Sequence, residues 1–168
     1  FVDIGCGLPS LIPIDSMSVS RISHPADRFT VGQLIRAAVK GINGSRIWLT
    51  HKELLGTWDE NAARFSCGET VSGIVRSVEE YGIFVELAPN LAGLAEPKAG
   101  VRAGQYAGVY IKALIPEKMK VKLIIVDVFD SDEPPAPPEY FIAPDVNHID
   151  RWRYTSALSD RVIETVFE

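Results

Sequence analysis

Between residues 69 and 128, apolar side chains fall at every second position in five short runs, the period of strands with one buried face. Val71, Gly73 and Val75 alternate against Ser72, Ile74 and Arg76 in the first run, Glu69 to Val78. A turn at Glu79-Glu80-Tyr81-Gly82 leads into Ile83 to Leu87, and Pro89-Asn90 breaks the pattern before a short run around Ala92 to Ala95. Tyr106 to Leu114 and Met119 to Val128 follow, separated by Pro116-Glu117-Lys118. Five short strands at this spacing predict a small Greek-key barrel of the OB type.

The pattern occurs twice. Phe1-Val2-Asp3-Ile4 aligns with Phe84-Val85-Glu86-Leu87, and Leu8 and Leu11 fall on Leu91 and Leu94 without a gap. Val31-Gly32-Gln33-Leu34 then matches Ala103-Gly104-Gln105-Tyr106, and Arg46-Ile47-Trp48-Leu49 matches Lys120-Val121-Lys122-Leu123. The expected fold is all-β, with tandem five-stranded OB barrels joined by a short helical linker. The first barrel lacks its first strand. Residues 1–50 form this truncated module, 51–66 the linker, 67–131 the complete module, 132–139 a Pro-rich linker and 140–168 a tail docked on a barrel.

Thr50-x-x-Glu53 and Thr57-x-x-Glu60 both have capping-box spacing, predicting one or two helical turns over 51–65. Ala62, Ala63 and Phe65 are expected between the barrels. In the tail, Tyr140-Phe141-Ile142 and Ile149 to Tyr154 are apolar enough to cover a barrel edge, and Arg161 to Phe167 reads as a last strand. A barrel without its first strand exposes two edges. Another segment or a second chain is therefore expected to cover the gap, through self-association or through residues upstream of Phe1, since the first copy opens in mid-strand.

Alternation also sorts the outward side chains. Ile83, Val85 and Leu87 point in, leaving Phe84 and Glu86 outside; Val2 and Ile4 point in, leaving Phe1 and Asp3 outside. Met119, Val121, Leu123 and Ile125 form a core face opposite Lys118, Lys120 and Lys122. Tyr110 shares a face with Lys112, as Arg36 does with Lys40, and Arg46 and Trp48 face outward on the equivalent of the last strand. An aromatic beside a row of cations suits single-stranded nucleic acid, whose bases stack on rings while Lys and Arg follow the phosphates.

The stretch Gly68-Glu69-Thr70-Val71-Ser72-Gly73-Ile74-Val75, with Tyr81-Gly82-Ile83-Phe84-Val85 and Ala92-Gly93-Leu94, resembles the S-one RNA-binding domain. That family is named for the multi-repeat ribosomal protein of the small subunit. The resemblance covers residues 1–50 and 67–128 and implies an OB-fold that binds single-stranded RNA on its second and third strands, without catalysis, in translation or messenger handling. It places stacking aromatics at Tyr81 and Phe84, with Phe1 in the first copy, and the basic residue opening the last strand at Lys120 and Arg46. Lys112, Lys122 and Arg36 complete the expected phosphate contacts. Where the family often carries His, this chain has Glu96 and Pro13; the polar residue of the last turn falls on Asn43, against Ile115-Pro116 in the second copy. The implied partners are single-stranded RNA and the small ribosomal subunit. Two alternatives stay open: a protein-interaction surface, and an accessory domain of an RNA-processing enzyme.

A net charge of −5 argues against a nucleic-acid binder until its distribution is read. Residues 1–66 carry 7 basic and 6 acidic side chains, residues 67–131 carry 7 and 8, and residues 132–168 carry 3 and 8. The tail supplies the imbalance, and a local basic patch is compatible with the modules. Cys6 and Cys67 have no partners at metal spacing, which fits a reducing cytoplasm. His24, His51 and His148, and likewise Asp15, Asp27 and Asp127, form no catalytic or metal-binding pattern, so no enzyme or cofactor is expected, and no apolar run approaches ~20 residues, so no transmembrane helix is expected. Trp48, beside the linker, reads as an interface residue, with base stacking as the alternative.

Overall fold

The computed structural model describes residues 1–167. Three short strands come first: Ser10–Leu11 (β1), Ala38–Asn43 (β2) and Arg46–Thr50 (β3), in the order β1-β3-β2. Thr70–Glu79 (β4), Gly82–Ala88 (β5), Leu91–Ala95 (β6), Tyr106–Ile115 (β7) and Lys120–Phe129 (β8) close into a barrel in the order β4-β5-β6-β8-β7. Closure pairs both edges of the sheet, which an open five-stranded sheet could not do. The inward half of each alternating run fills the barrel: Val75, Ile83, Val85, Leu91, Val109, Ile111, Val121 and Leu123 are all buried.

The first sheet repeats the barrel's register. Leu11 stands opposite Trp48 in a parallel pair, as Leu94 stands opposite Lys122. Ile42 and Asn43 face Ile47 and Arg46, as Leu114 and Ile115 face Val121 and Lys120. The antiparallel ladder shifts between Val39 and Gly41 at Lys40, and between Ile111 and Ala113 at Lys112, which are aligned positions. Phe1 to Ile4, expected as a strand, forms only the bridge from Val2 to Ser10, the counterpart of Val85 opposite Gly93. Phe1 is 98% exposed and Gly5 and Gly7 turn the chain at positive φ, so nothing extends the ladder. Among the described residues no strand lies beyond β2, and no counterpart of β4 follows. This sheet has its own small core of Ile12, Met17, Ile47 and Leu49.

The connecting segment folds as a 3-10 turn at Lys52–Leu54 and a helix at Trp58–Ala62 (α1). The second capping box forms: the Glu60 N–H donates to the Thr57 hydroxyl at 3.1 Å, and the Thr57 N–H donates to the Glu60 carboxylate at 3.0 Å. The first does not. Thr50 is still in β3, and its hydroxyl donates directly to the buried Glu53 carboxylate. Ala62 and Phe65 pack on the barrel core, while Ala63 lies exposed, on the solvent side of this short helix.

The tail does not add to a barrel strand, because the closed barrel leaves no edge. It forms its own hairpin of Arg151–Arg153 (β9) and Glu164–Val166 (β10), and the expected strand over 161–167 shrinks to the latter. Trp152 and Tyr154 enter the barrel's hydrophobic cluster, and the Trp58 N–H donates to the Tyr154 carbonyl at 2.9 Å.

Two buried polar groups tie the segments together. Asn90 is fully buried: its carbonyl oxygen accepts from the Val19 N–H at 2.9 Å, and its amide donates to the Lys52 and Gly56 carbonyls, each at 2.8 Å. Its backbone carbonyl accepts from the Tyr154 hydroxyl. Glu86, expected on the outer face, does point outward but is only 4% exposed. The reason is Arg28, whose guanidinium covers it through bonds of 2.8 and 2.6 Å, with Arg76 adding contacts of 3.3 and 3.1 Å.

His51 is a third buried anchor. Its Nδ1 lies 2.7 Å from the Met17 carbonyl and therefore carries the proton, leaving Nε2 to accept from the Tyr140 hydroxyl at 3.0 Å. Tyr140 in turn accepts from the Arg36 N–H at 3.0 Å. Burial pushes the imidazole from 6.5 down to about 4, with nearby Arg28 pushing the same way against the Met17 carbonyl.

Two outcomes follow for stability. Asn90→Ala strands three backbone groups at once, the Gly56 carbonyl buried and the other two part-buried, and should cost about 2–4 kcal/mol, read as a lower urea midpoint. The His51 shift favours the neutral form in the folded state, so its contribution is intact above pH 6.5 and declines as pH falls from 6.5 towards about 4. Over that window roughly 2–3 kcal/mol should be lost at ~1.4 kcal/mol per unit. His51→Gln should be less stable at pH 7 yet lack this part of the slope; identical pH profiles for variant and parent would contradict the assignment.

Candidate nucleic-acid interface

Pairing register builds a lateral row across the outer face of the barrel. Phe84 on β5 stands opposite Leu94 on β6, Leu94 opposite Lys122 on β8, and Lys122 opposite Ala113 on β7. The irregularity between Ile111 and Ala113 sets Lys112 beside this row. Tyr81, in the turn before β5 and 66% exposed, meets the Phe84 ring edge-on, with centroids 6.1 Å apart at 82°. The result is a groove of about 530 Å³ with Tyr81 and Phe84 at one side and Lys112, Lys120 and Lys122 at the other.

The glycines of the motif permit this geometry. A Cβ on Gly93 would meet Leu123 Cδ1 at 2.6 Å and the Val121 carbonyl at 2.9 Å. Only glycine lets β6 lie this close over β8, and that approach sets the spacing between Phe84 and Lys122.

Electrostatically the groove holds three ammonium groups and one carboxylate. Glu96 lies within it, but Lys112 Nζ approaches its Oε1 at 3.1 Å, both side chains being more than half exposed. Such a pair is worth at most about 1 kcal/mol, so an incoming phosphate can compete for Lys112. Lys118, expected in line with Lys120 and Lys122, lies in the 3-10 turn Pro116–Lys118 and outside the groove. Met119 after it takes a left-handed conformation, φ 51°, which breaks the alternation before β8 begins.

The first sheet reproduces the row only in part. Phe1, Leu11, Trp48 and the Lys40 irregularity occupy the places of Phe84, Leu94, Lys122 and Lys112, so Trp48 stands where the second copy has a cation. Trp48 is half-buried, and Arg46 is exposed opposite Asn43. Arg36 is not brought to this face. It precedes β2, donates to the Ile142 and Ala143 carbonyls at 2.6 and 3.1 Å, and lies over the Tyr140 ring at 5.2 Å. The tail engages both guanidinium nitrogens at the end of the side chain, a contact across about a hundred residues that spacing does not disclose. The structure thus unites Tyr81, Phe84, Lys112, Lys120 and Lys122, leaves Phe1 and Arg46 on a separate sheet, and removes Arg36. Leu94, the apolar bridge of the row, was legible as an outward residue of its strand only once the register was known. Among the described residues no group of three or more His, Cys, Asp or Glu side chains could hold a metal ion, and no helix is long and apolar enough to cross a membrane.

No family model matches the chain. It is similar to the small ribosomal subunit protein bS1 of Rhizobium meliloti, 36% identical over 97 residues, covering 56% of this chain and 17% of that protein. Its similarity to the bS1 of Chlamydia trachomatis is 30% over 131 residues, covering 76% of this chain and 23% of the relative. With the bS1 homolog of Bacillus subtilis it shares 30% over 139 residues, 79% of this chain and 35% of that one. The matched region thus spans about a sixth to a third of these relatives' length. Among solved structures, an uncharacterized protein from Methanocaldococcus jannaschii matches 35% of this chain and 89% of its own, at 24% identity and a TM-score of 0.33.

The glycine argument carries a direct check. Gly93→Ala should lower stability by about 1–3 kcal/mol through overpacking against Leu123 and the Val121 carbonyl. An unchanged urea midpoint would mean that the β6–β8 approach is looser than this geometry.

Proposed function

We propose that this chain, which carries an S-one-type OB domain related to those of small ribosomal subunit protein bS1, binds single-stranded RNA without catalysing a reaction on it. The observation that carries this reading is the lateral row of the barrel: an aromatic pair, then Leu94, then three lysines, all on one exposed groove. Bases stack on Phe84 and Tyr81, and Lys112, Lys120 and Lys122 hold the phosphates. Every base has a π-face and every nucleotide a phosphate, so such a groove selects single strands more than sequences. The repeated register supports reading residues 1–50 as a second, incomplete module of the same kind. Phe1 and Arg46 would then contribute weaker contacts, since their sheet carries Trp48 where the barrel has Lys122. The similarity to bS1 proteins supports extending this reading to action in translation or messenger handling, in contact with the small ribosomal subunit.

Fluorescence anisotropy of a labelled ~10-nucleotide single-stranded RNA tests the reading. Affinity should fall with rising salt as phosphate contacts release counterions. Phe84→Ala should weaken binding about fivefold or more, the loss of one stacked base. Binding that ignores Phe84, or none at tens of micromolar, would refute it.

A further inference from the structure

Tyr81 and Phe84 have a second side. Together with Ala92 and Met119 they also line a neighbouring groove of about 710 Å³, so the aromatic pair forms a ridge between two continuous depressions. Three separate parts of the chain build this second groove. The barrel supplies Arg76, Ser77 and Glu79, the N-terminal segment supplies Arg21 and Ser23, and the tail supplies Arg161.

The two outer arginines are held in place from their backbones and left free at their heads. The segment carrying Arg21 is fixed on one side by the Ser20 N–H donating to the Pro89 carbonyl at 3.1 Å, and on the other by the Ser23 N–H donating to Asp27 at 3.1 Å. Arg161 sits in the β9–β10 loop, where its N–H donates to the Ser159 hydroxyl at 3.2 Å and its carbonyl accepts from Arg153 at 3.4 Å. Of the ten arginines in the sequence, Arg21, Arg46 and Arg161 alone have no side-chain partner among the described residues. Two of those three flank this one groove. Of its other charges, Arg76 is engaged by Glu86, while Glu79 keeps its negative charge and accepts only from the Ser77 hydroxyl at 3.3 Å, leaving the two free arginines in excess over one carboxylate.

We infer that single-stranded RNA crosses the Tyr81–Phe84 ridge from the lysine groove into this second groove, where Arg21 and Arg161 bind the phosphates of the flanking nucleotides. The ligand path is then composite, finished by the N-terminal segment and the tail and absent from an isolated barrel. The inference rests on the RNA-binding reading above, and the occupant follows from continuity with that site and from the matching charge.

The test uses the full chain and labelled single-stranded RNAs of ~4 and ~10 nucleotides. Phe84→Ala, the double variant Arg21→Ala/Arg161→Ala, and the charge-matched control Arg102→Ala/Arg151→Ala stand beside the parent. The parent should favour the longer RNA, and the double variant should shrink that preference about fivefold or more. It should also lower the slope of log affinity against log salt by about 1.4, at ~0.7 per phosphate contact. The control, whose side chains lie outside both grooves, should do neither. A preference for length that survives the double variant, or that the control erases equally, overturns the composite path. If Phe84→Ala weakens binding while the arginine pair does not matter, only the extension fails; if Phe84→Ala changes nothing at either length, the RNA-binding reading fails with it.

Discussion

Asn90 is the constraint on which the arrangement depends. One fully buried side chain uses both amide protons and its carbonyl oxygen, each on a backbone group of another segment. The Val19 strap, the two carbonyls of the helical connection and, through its own carbonyl, the tail at Tyr154 all converge there. Each segment is too short to hold itself: α1 has five residues, β1 two and β9 three. Helices and hairpins of this length are marginal in water and need tertiary partners. A buried amide leaves those backbone groups no cheaper partner, so the satisfied network is specific as well as stabilising.

The same convergence positions the groove walls. Asn90 lies in the turn between β5 and β6, the strands that carry Phe84 and Leu94. Glu86, two residues beyond Phe84, locks the N-terminal segment through Arg28 while Ser20, bonded to Pro89, sets where Arg21 lies. Breaking one partner of such a buried pair is costly because the other charge is left stranded. The barrel therefore presents its aromatic ridge on a rigid frame, with the N-terminal segment fixed to the strand that bears the ridge.

Alternation made the barrel legible, because each strand buries one face and period 2 leaves little freedom of register. Phe84, Lys120 and Lys122 could be placed outward from their own strand alone, and the repeat of residues 1–50 against 84–127 reappears in the pairing down to the irregularities at Lys40 and Lys112. What escaped sequence reasoning was decided by contacts across long separations. Glu86 looked solvent-facing until Arg28, 58 residues away, covered it; Arg36 looked free until the tail, more than a hundred residues on, engaged it. Asn90 looked like an ordinary turn residue, since Pro-Asn marks a break in any strand pattern. Lys118 failed for a local reason, because Met119 adopts a backbone conformation that alternation does not anticipate.

Net charge is a poor guide to this surface. The tail carries 8 acidic and 3 basic residues, yet one of those three, Arg161, reaches the groove beside Tyr81. At physiological salt the Debye length is about 8 Å, so acids farther than that from the groove scarcely weaken its potential. What counts is the local sum: three lysines and Glu96 line one side of the ridge, and two free arginines, Arg76 with its partner Glu86, and Glu79 the other, with Asp160 beside Arg161 in the chain. Glu96 is engaged by Lys112 and Glu79 by Ser77, which restrains where their charges lie. An acidic protein can therefore present a basic track. With little long-range field to draw a polyanion in, the proposed binding of a single strand would rely on stacking at the ridge once contact is made, which gives the central place of the aromatic pair an energetic sense as well as a geometric one.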